Sequence, residues 1–175
     1  MARLDRATLD KAIFPAAVTI PTRFADLDLQ GHVNNAAVPV ILQEARVDFN
    51  KAVDMRGHLG GLRPMVAGIT IEYAAELTHP GEIEILTAVS KIGRTSFTIQ
   101  QVARQKGRTA IYAETTLVIA DATGAAALPE GLRCNLETLL LRQTKEGIQR
   151  WLNRTSSTAF SAPCSRATRT CCAIA

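Results

Sequence analysis

The chain has 175 residues, of which 47% are hydrophobic and 21% are charged, and this composition excludes a disordered or fibrous protein. The net charge of +4 arises in residues 143–175, because residues 1–142 contain 15 basic and 15 acidic side chains. A nucleic-acid-binding protein usually carries its positive charge on the folded domain, so we expect no nucleic-acid partner.

The sequence contains no stretch with the roughly 20 apolar residues that a membrane helix requires, so we expect no membrane association. The N-terminal segment mixes acids with bases and lacks the apolar centre of a signal peptide. The expected location is therefore the cytoplasm.

Metal-binding motifs are absent from the sequence. The three histidines, His32, His58 and His79, are far apart, and none of the four cysteines has CxxC spacing. We expect free thiols, no metal site and no cofactor.

The first predicted elements are a strand and a long helix. A β-branched run predicts a strand over Ala17–Arg23, and a polar turn follows it. Apolar residues then recur at spacings of three and four, which predicts a helix over Asn35–Asp54. Asn34 or Asn35 is the expected N-cap, and Pro39 should delay the start of regular helix, since proline is easily accommodated only in a first turn.

Four strand-like runs and a short helix follow a connection at Gly57–Gly61. Turn residues separate the runs at intervals that suit antiparallel neighbours. The predicted strands are Met65–Leu77, Glu82–Ile92, Thr95–Arg104 and Thr109–Ala120, and the predicted closing helix is Leu132–Arg142.

This order of elements predicts an α+β fold. A parallel sheet would require helices between its strands, so we expect one antiparallel five-stranded sheet wrapped around one long helix. We assign this domain to residues 1–142. Residues 143–175 form a basic tail rich in Ser, Thr and Cys without sustained apolar periodicity, and we expect the tail to be disordered.

The chemistry-bearing segment lies between the first strand and the long helix. It reads Asp26-Leu27-Asp28-Leu29-Gln30-Gly31-His32-Val33-Asn34-Asn35. A helix N-terminus presents unpaired N–H groups that polarise a carbonyl oxygen, and a nearby carboxylate can attack the carbonyl carbon or activate water. This combination suits acyl transfer.

The segment resembles the hot-dog-fold acyl-CoA thioesterases of the 4-hydroxybenzoyl-CoA thioesterase branch. The matching residues are Asp26-x-Asp28-x-x-Gly31-His32-Val33-Asn34-Asn35, with Glu44-x-Arg46 on the helix. The resemblance covers roughly residues 15 to 142. It implies a hot-dog fold, an acyl-CoA or acyl-carrier substrate, and a homodimer or homotetramer with sites at the subunit interface.

Carried over by position, the resemblance assigns Asp28 as the catalytic carboxylate and Asp26 as a structural residue. His32 matches the histidine of some members, and Asn35 is a polar neighbour of the reacting centre. We expect the substrate to be bound by Gly31 and Asn34, and the phosphates of coenzyme A by Lys91, Arg94 and Ser96. Two alternatives remain: a hot-dog hydratase or dehydratase, and a non-catalytic acyl-CoA-binding module.

Overall fold

A computed structural model describes residues 4–143 of the chain, which fold around one antiparallel five-stranded sheet. The strand order is β2-β4-β5-β6-β3, and α2 is the longest of the described helices. The predicted α+β architecture is confirmed. The strands are β1 (Ala12–Ile13), β2 (Ala16–Pro21), β3 (Arg63–Tyr73), β4 (Glu82–Ile92), β5 (Ser96–Gln105), β6 (Arg108–Ala120) and β7 (Arg142–Gln143). The helices are α1 (Arg6–Lys11), α2 (Val38–Ala52), α3 (Met55–Leu59) and α4 (Glu130–Thr138), with a 3-10 helix at Phe24–Asp26.

Helix α2 begins at Val38, later than its capping residues suggested, and Pro39 lies in its first turn as expected. The predicted cap was wrong, because the N-cap is Ala37 and no side chain caps the helix. Asn34 instead stabilises the preceding turn, where its Oδ1 accepts from the Ala36 N–H at 2.8 Å.

Other differences from the predicted elements lie at the ends of the elements, as in α4, which spans Glu130–Thr138 and not the predicted Leu132–Arg142. The strand predicted over Met65–Leu77 ends at Tyr73, and α3 occupies part of the predicted glycine-rich connection. At the C-terminal end, Gln143 pairs with Ala12 in the short β1–β7 ladder, so pairing extends one residue past the proposed domain boundary. The rest of the tail lies outside the described residues.

A buried polar layer divides the core between α2 and the sheet into two apolar clusters. Thr87 and Gln101 occupy neighbouring positions on β4 and β5, and Arg46 is buried above them on α2. Gln101 Nε2 donates to the Leu42 carbonyl oxygen at 3.2 Å, and Arg46 Nη1 lies 3.5 Å from Gln101 Oε1. Burial lowers the pKa of the Arg46 guanidinium. One apolar cluster lies at the end of the sheet near the start of α2. The other cluster lies at the opposite end of the sheet, near the end of α2.

The other face of the sheet is partly covered by α1. Leu9 of this helix packs with Val102 and Tyr112, and all three side chains are buried. Asp10 accepts hydrogen bonds from the Tyr112 hydroxyl at 2.7 Å and the Thr109 hydroxyl at 3.2 Å. These contacts identify Thr109 and Tyr112 as residues of the outer face.

Candidate active site

A cleft of about 670 Å³ opens beside the N-terminal end of α2. Its walls include the loop from β2 to α2 and the segment of residues 74–78 that follows β3. These walls are tied together, because the Val33 N–H donates to the Leu77 carbonyl at 2.8 Å and His32 forms a β-bridge with Thr78. The cleft therefore has a fixed backbone frame.

Asp28 is half-buried in the wall of this cleft, and its carboxylate is held by the backbone of its own loop. Oδ1 accepts from the Gln30 N–H at 2.9 Å and from the His32 N–H at 3.1 Å. Within residues 4–143, Oδ2 has no hydrogen-bond donor. One oxygen thus orients the side chain, and the other is available to a molecule in the cleft.

A tight turn produces this arrangement. The Asp28 N–H donates to the His32 carbonyl, and the Gly31 N–H donates to the Asp28 carbonyl. Gly31 has a φ of +82°, which is a conformation that side-chain-bearing residues rarely adopt. Glycine at this position therefore allows the chain to return from Asp28 to His32 in four residues.

The start of α2 contributes a backbone donor to the same cleft. Val38 lines the cleft, and no acceptor for its N–H occurs in the described part of the chain. Pro39 has no N–H, so the partial positive charge of the helix terminus is expressed chiefly at Val38. This N–H is suited to hydrogen-bond a carbonyl oxygen.

Tyr73 stabilises the approach to α2. Its hydroxyl donates to the Asn35 carbonyl at 3.1 Å, which ties the end of β3 to the loop before the helix. The Tyr73 hydroxyl is protonated at neutral pH and acts as a donor, and partial burial raises its pKa still further from neutrality. The Asn35 side chain has no hydrogen-bond partner among the described residues and remains available to a ligand.

His32 and Glu76 form a polar pair in the cleft. His32 Nε2 lies 3.4 Å from Glu76 Oε2, and Glu76 is the more exposed of the two side chains. The pair is an ion pair only when the imidazole is protonated. This contact can therefore orient the imidazole ring within the cleft.

Asp26, to which the resemblance assigns a structural role, is tied to a side chain of its own loop. Arg23 donates to both of its oxygens, from Nε at 2.8 Å and from Nη2 at 2.9 Å, and the Asp26 carboxylate is almost entirely buried. The Asp26 carbonyl also accepts from the Asn34 N–H. The Arg23 hydrogen bonds hold the pKa of Asp26 below its ordinary value.

This pKa shift predicts how Asp26→Asn changes acid stability. A lowered pKa means that the ionised carboxylate stabilises the folded state above the unfolded-state pKa of about 3.9, and that this contribution disappears as the pH falls through the lower folded-state pKa. At pH 7 the variant should melt several degrees below wild type. Melting curves between pH 7 and pH 2 should converge at the acid end, and a constant difference would contradict the assignment.

The cleft brings together three of the residues singled out in the sequence, namely Asp28, His32 and Asn35. Gly31 and Asn34 lie in the same loop but outside the cleft lining, where they shape the turn and the approach to α2. Their roles in substrate binding stay predictions.

The predicted phosphate-binding residues lie at the other end of the sheet in the same chain. Lys91 lies near the end of β4, Arg94 in the turn that follows and Ser96 at the start of β5, whereas the cleft lies beside the end of β3 and the start of β6. The ten residues of β5 separate the two ends by about 30 Å, at about 3.3 Å per residue. These residues do not join Asp28 within one chain.

Sequence reasoning missed Tyr73, Glu76 and Arg108, which also line the cleft. The predicted strand Met65–Leu77 includes Glu76 near its end, whereas β3 ends at Tyr73 and Glu76 lies in the cleft wall. A pairing irregularity between β5 and β6 places Arg108 there, and no turn residue marks this irregularity in the sequence.

Residues 4–143 contain no group of three His, Cys, Asp or Glu side chains that is suited to hold a metal ion. None of the helices in this part of the chain is long and apolar enough to span a membrane.

Comparison with known proteins identifies the family. A sequence model of the thioesterase-like superfamily matches residues 22–152, which is most of the chain and includes the whole cleft loop. The chain belongs to the thioesterase-like superfamily. This membership and the sheet topology confirm the hot-dog fold that the motif implied.

Solved structures resemble the chain over nearly their whole lengths. A predicted thioesterase from Bacillus stearothermophilus has a TM-score of 0.67 at 22% identity, covering 73% of this chain and 98% of that one. A thioesterase from Thermus thermophilus, solved with coenzyme A and Zn, has a TM-score of 0.64 at 27% identity, covering 72% and 94%. These likenesses support the hot-dog fold.

A curated relative is the uncharacterized protein YsmA of Bacillus subtilis strain 168. It is 25% identical over 80 residues, which cover 46% of this chain and 54% of that protein. The chain thus matches about half the length of this relative.

Proposed function

We propose that the protein hydrolyses acyl thioesters of coenzyme A or of an acyl carrier, with Asp28 as the catalytic carboxylate. The observation that carries this proposal is the orientation of Asp28, whose Oδ1 is fixed by two N–H groups while Oδ2 remains free in the cleft. The unpaired Val38 N–H in the same cleft supplies the second requirement, a donor for the thioester oxygen.

The chemistry follows from the leaving group. A thiol with a pKa of about 8.5 departs readily as a thiolate, so hydrolysis needs a nucleophile and carbonyl polarisation more than a strong acid. Asp28 Oδ2 attacks the carbonyl carbon to form a mixed anhydride that water then cleaves, or it removes a proton from an attacking water. In both routes the Val38 N–H stabilises the negative charge that develops on the carbonyl oxygen.

His32 is proposed to assist by orienting the substrate. We expect His32→Ala to lower the rate of thioester hydrolysis by roughly 10-fold to 100-fold, within the lower range for removal of an acid–base group. The backbone N–H that position 32 donates to Asp28 remains in the alanine variant, so the carboxylate should keep its orientation. Steady-state assays that show a loss as large as that of Asp28→Asn would instead make the two residues a catalytic pair.

The site is proposed to be completed by a second copy of the chain. β3 forms one edge of the sheet, and it exposes the large apolar side chains of Met65, Val66, Ile69 and Tyr73. An exposed apolar edge strand of this length readily pairs with another strand. In each chain the cleft lies at one end of the sheet and the β4–β5 connection lies at the other end. Antiparallel pairing of two β3 strands therefore places the β4–β5 connection of the second copy at the same end as this chain's cleft.

This arrangement brings the predicted phosphate-binding residues of one chain near the cleft of the other. Lys91, Arg94 and Ser96 lie about 30 Å from the cleft of their own chain, as estimated above. Their counterparts in the second copy lie at the cleft end of the joined sheet. We therefore propose that the acyl group enters the cleft of one chain and that Lys91, Arg94 and Ser96 of the other chain contact coenzyme phosphates.

Hydrolysis of a panel of acyl-CoA and acyl-pantetheine thioesters, with detection of the free thiol, tests the function. We expect release of one thiol and one carboxylic acid per turnover. Hydration of an enoyl-CoA without thiol release would favour the hydratase alternative, and binding without turnover would favour a binding module. Either result would reject the proposed hydrolysis.

A further inference from the structure

An extra residue in β6 controls which side chains reach the cleft. Ala103 of β5 pairs with Ile111, but the next residue, Arg104, pairs with Thr109, so Ala110 is bulged out of the ladder. Thr109 and Tyr112 consequently both face outward, although three positions separate them. Arg108 and Ile111 therefore both face the cleft, which they line. Bulges re-aim side chains in this way next to binding sites.

The bulge also builds the cleft wall. The Ala110 carbonyl accepts from the Ala74 N–H at 2.8 Å and from the Ala75 N–H at 3.1 Å. This shared acceptor lies where β3 ends and where residues 74–78 begin to line the cleft. The backbone of Arg108 therefore lies close to a hydrogen-bonded part of the wall.

The Arg108 guanidinium has no partner in the described part of the chain. No ion pair or side-chain hydrogen bond involves it, although Asp28 and Glu76 line the same cleft. Asp28 is oriented by Gln30 and His32, and Glu76 lies against His32. Arg108 is therefore free to bind an anion that enters from outside.

We propose that Arg108 is a specificity residue that binds an anionic oxygen group of the substrate. A guanidinium presents paired N–H donors that match the two oxygens of a carboxylate or a phosphate. Two parts of a thioester can supply such a group, a carboxylate at the far end of the acyl chain or a phosphate of the thiol carrier. This inference rests on the proposed thioesterase function and adds a substrate class to it.

The test measures binding and does not depend on turnover. Four unreactive thioethers serve as ligands: S-pentyl and S-(4-carboxybutyl) derivatives, each of coenzyme A and of pantetheine. Their Kd values are measured by titration calorimetry on the full chain as wild type, Arg108→Gln and Arg104→Gln. Arg104 is the matched control, because its pairing with outward-facing Thr109 places it on the opposite face of the same sheet end.

Arg108→Gln should raise the Kd of the affected ligands by roughly 10-fold to 100-fold, the value of a charge-assisted hydrogen bond. If the group is a carboxylate, both carboxybutyl ligands weaken and both pentyl ligands do not. If it is a phosphate, both coenzyme A ligands weaken and both pantetheine ligands do not. Arg104→Gln should leave all four Kd values within about 3-fold of wild type.

Two results would overturn the assignment. One is an Arg108→Gln protein whose affinities for all four ligands match those of wild type. The other is an equal loss for S-pentylpantetheine, which carries no anionic group. Charge-selective binding without hydrolysis of any thioester would reject the proposed function and retain the Arg108 site. Hydrolysis without an effect of Arg108→Gln on binding would retain the proposed function and reject the Arg108 site.

Discussion

Asp28→Asn should lower the rate of thioester hydrolysis by roughly 10²-fold to 10⁴-fold with almost no change in Tm. The amide oxygen of Asn can accept the two N–H bonds that Asp28 Oδ1 now accepts from Gln30 and His32, so the turn should be kept. The amide cannot act as a nucleophile or a base at neutral pH. Steady-state hydrolysis of the best acyl-CoA and a melting curve measure the two effects.

Asp26→Asn is the matched control for this experiment, because it makes the same chemical change two residues away. Asp26 is paired with Arg23, so its variant should lose stability and retain most activity at temperatures where it is folded. Near wild-type hydrolysis by Asp28→Asn would end the assignment of Asp28 as the catalytic group.

Ile69→Lys should convert the assembled protein into a monomer with roughly 10²-fold or greater loss of kcat/KM. A lysine in the middle of an edge strand opposes strand pairing, since its charge would be buried against the second copy. The fall in activity reflects the loss of at least two charge-assisted contacts from the other chain to the coenzyme phosphates. Light scattering and hydrolysis assays on the same preparation measure both.

Thr19→Lys provides the comparison for Ile69→Lys, because it places a lysine at an exposed position on β2, the other edge of the sheet. This variant should keep the mass and activity of wild type. A wild-type mass equal to one chain of 18.9 kDa would refute the proposed assembly, as would full activity in a monomeric Ile69→Lys protein.

The strands were predictable where turn residues mark their ends. β4 has the predicted bounds, because Pro80-Gly81 precedes it and Gly93 follows it. The start of α2 was predictable in part, because Pro39 restricts the first turn. The N-cap at Ala37 was not, because the Asn34 side chain accepts from the Ala36 N–H and does not cap the helix. Local chemistry thus specified the elements better than their exact ends.

The candidate site was predictable where it is continuous in sequence. The loop carrying Asp28, His32 and Asn35 is one segment, and its residues do line one cleft. Glu76 escaped notice because the predicted strand Met65–Leu77 includes it, whereas β3 ends at Tyr73. Arg108 escaped notice because the predicted strand begins only at Thr109, and the Ala110 bulge shifts the alternation of β6. Assigning strand residues to alternate faces of a sheet assumes a regular ladder. A bulge that contains no glycine or proline therefore cannot be detected in this way.

The polar layer beneath α2 determines where that helix lies along its own axis relative to the sheet. Apolar side chains alone tolerate sliding along one another, whereas the Gln101 bond to the Leu42 carbonyl is satisfied at a single axial setting. A slip of one helical turn would displace the Val38 N–H by about 5.4 Å, well beyond hydrogen-bond reach of a thioester fixed by Asp28. Replacing the three residues of this layer with apolar residues would favour packing of the helix on the sheet. It would also remove the hydrogen bond that holds the helix terminus over the cleft.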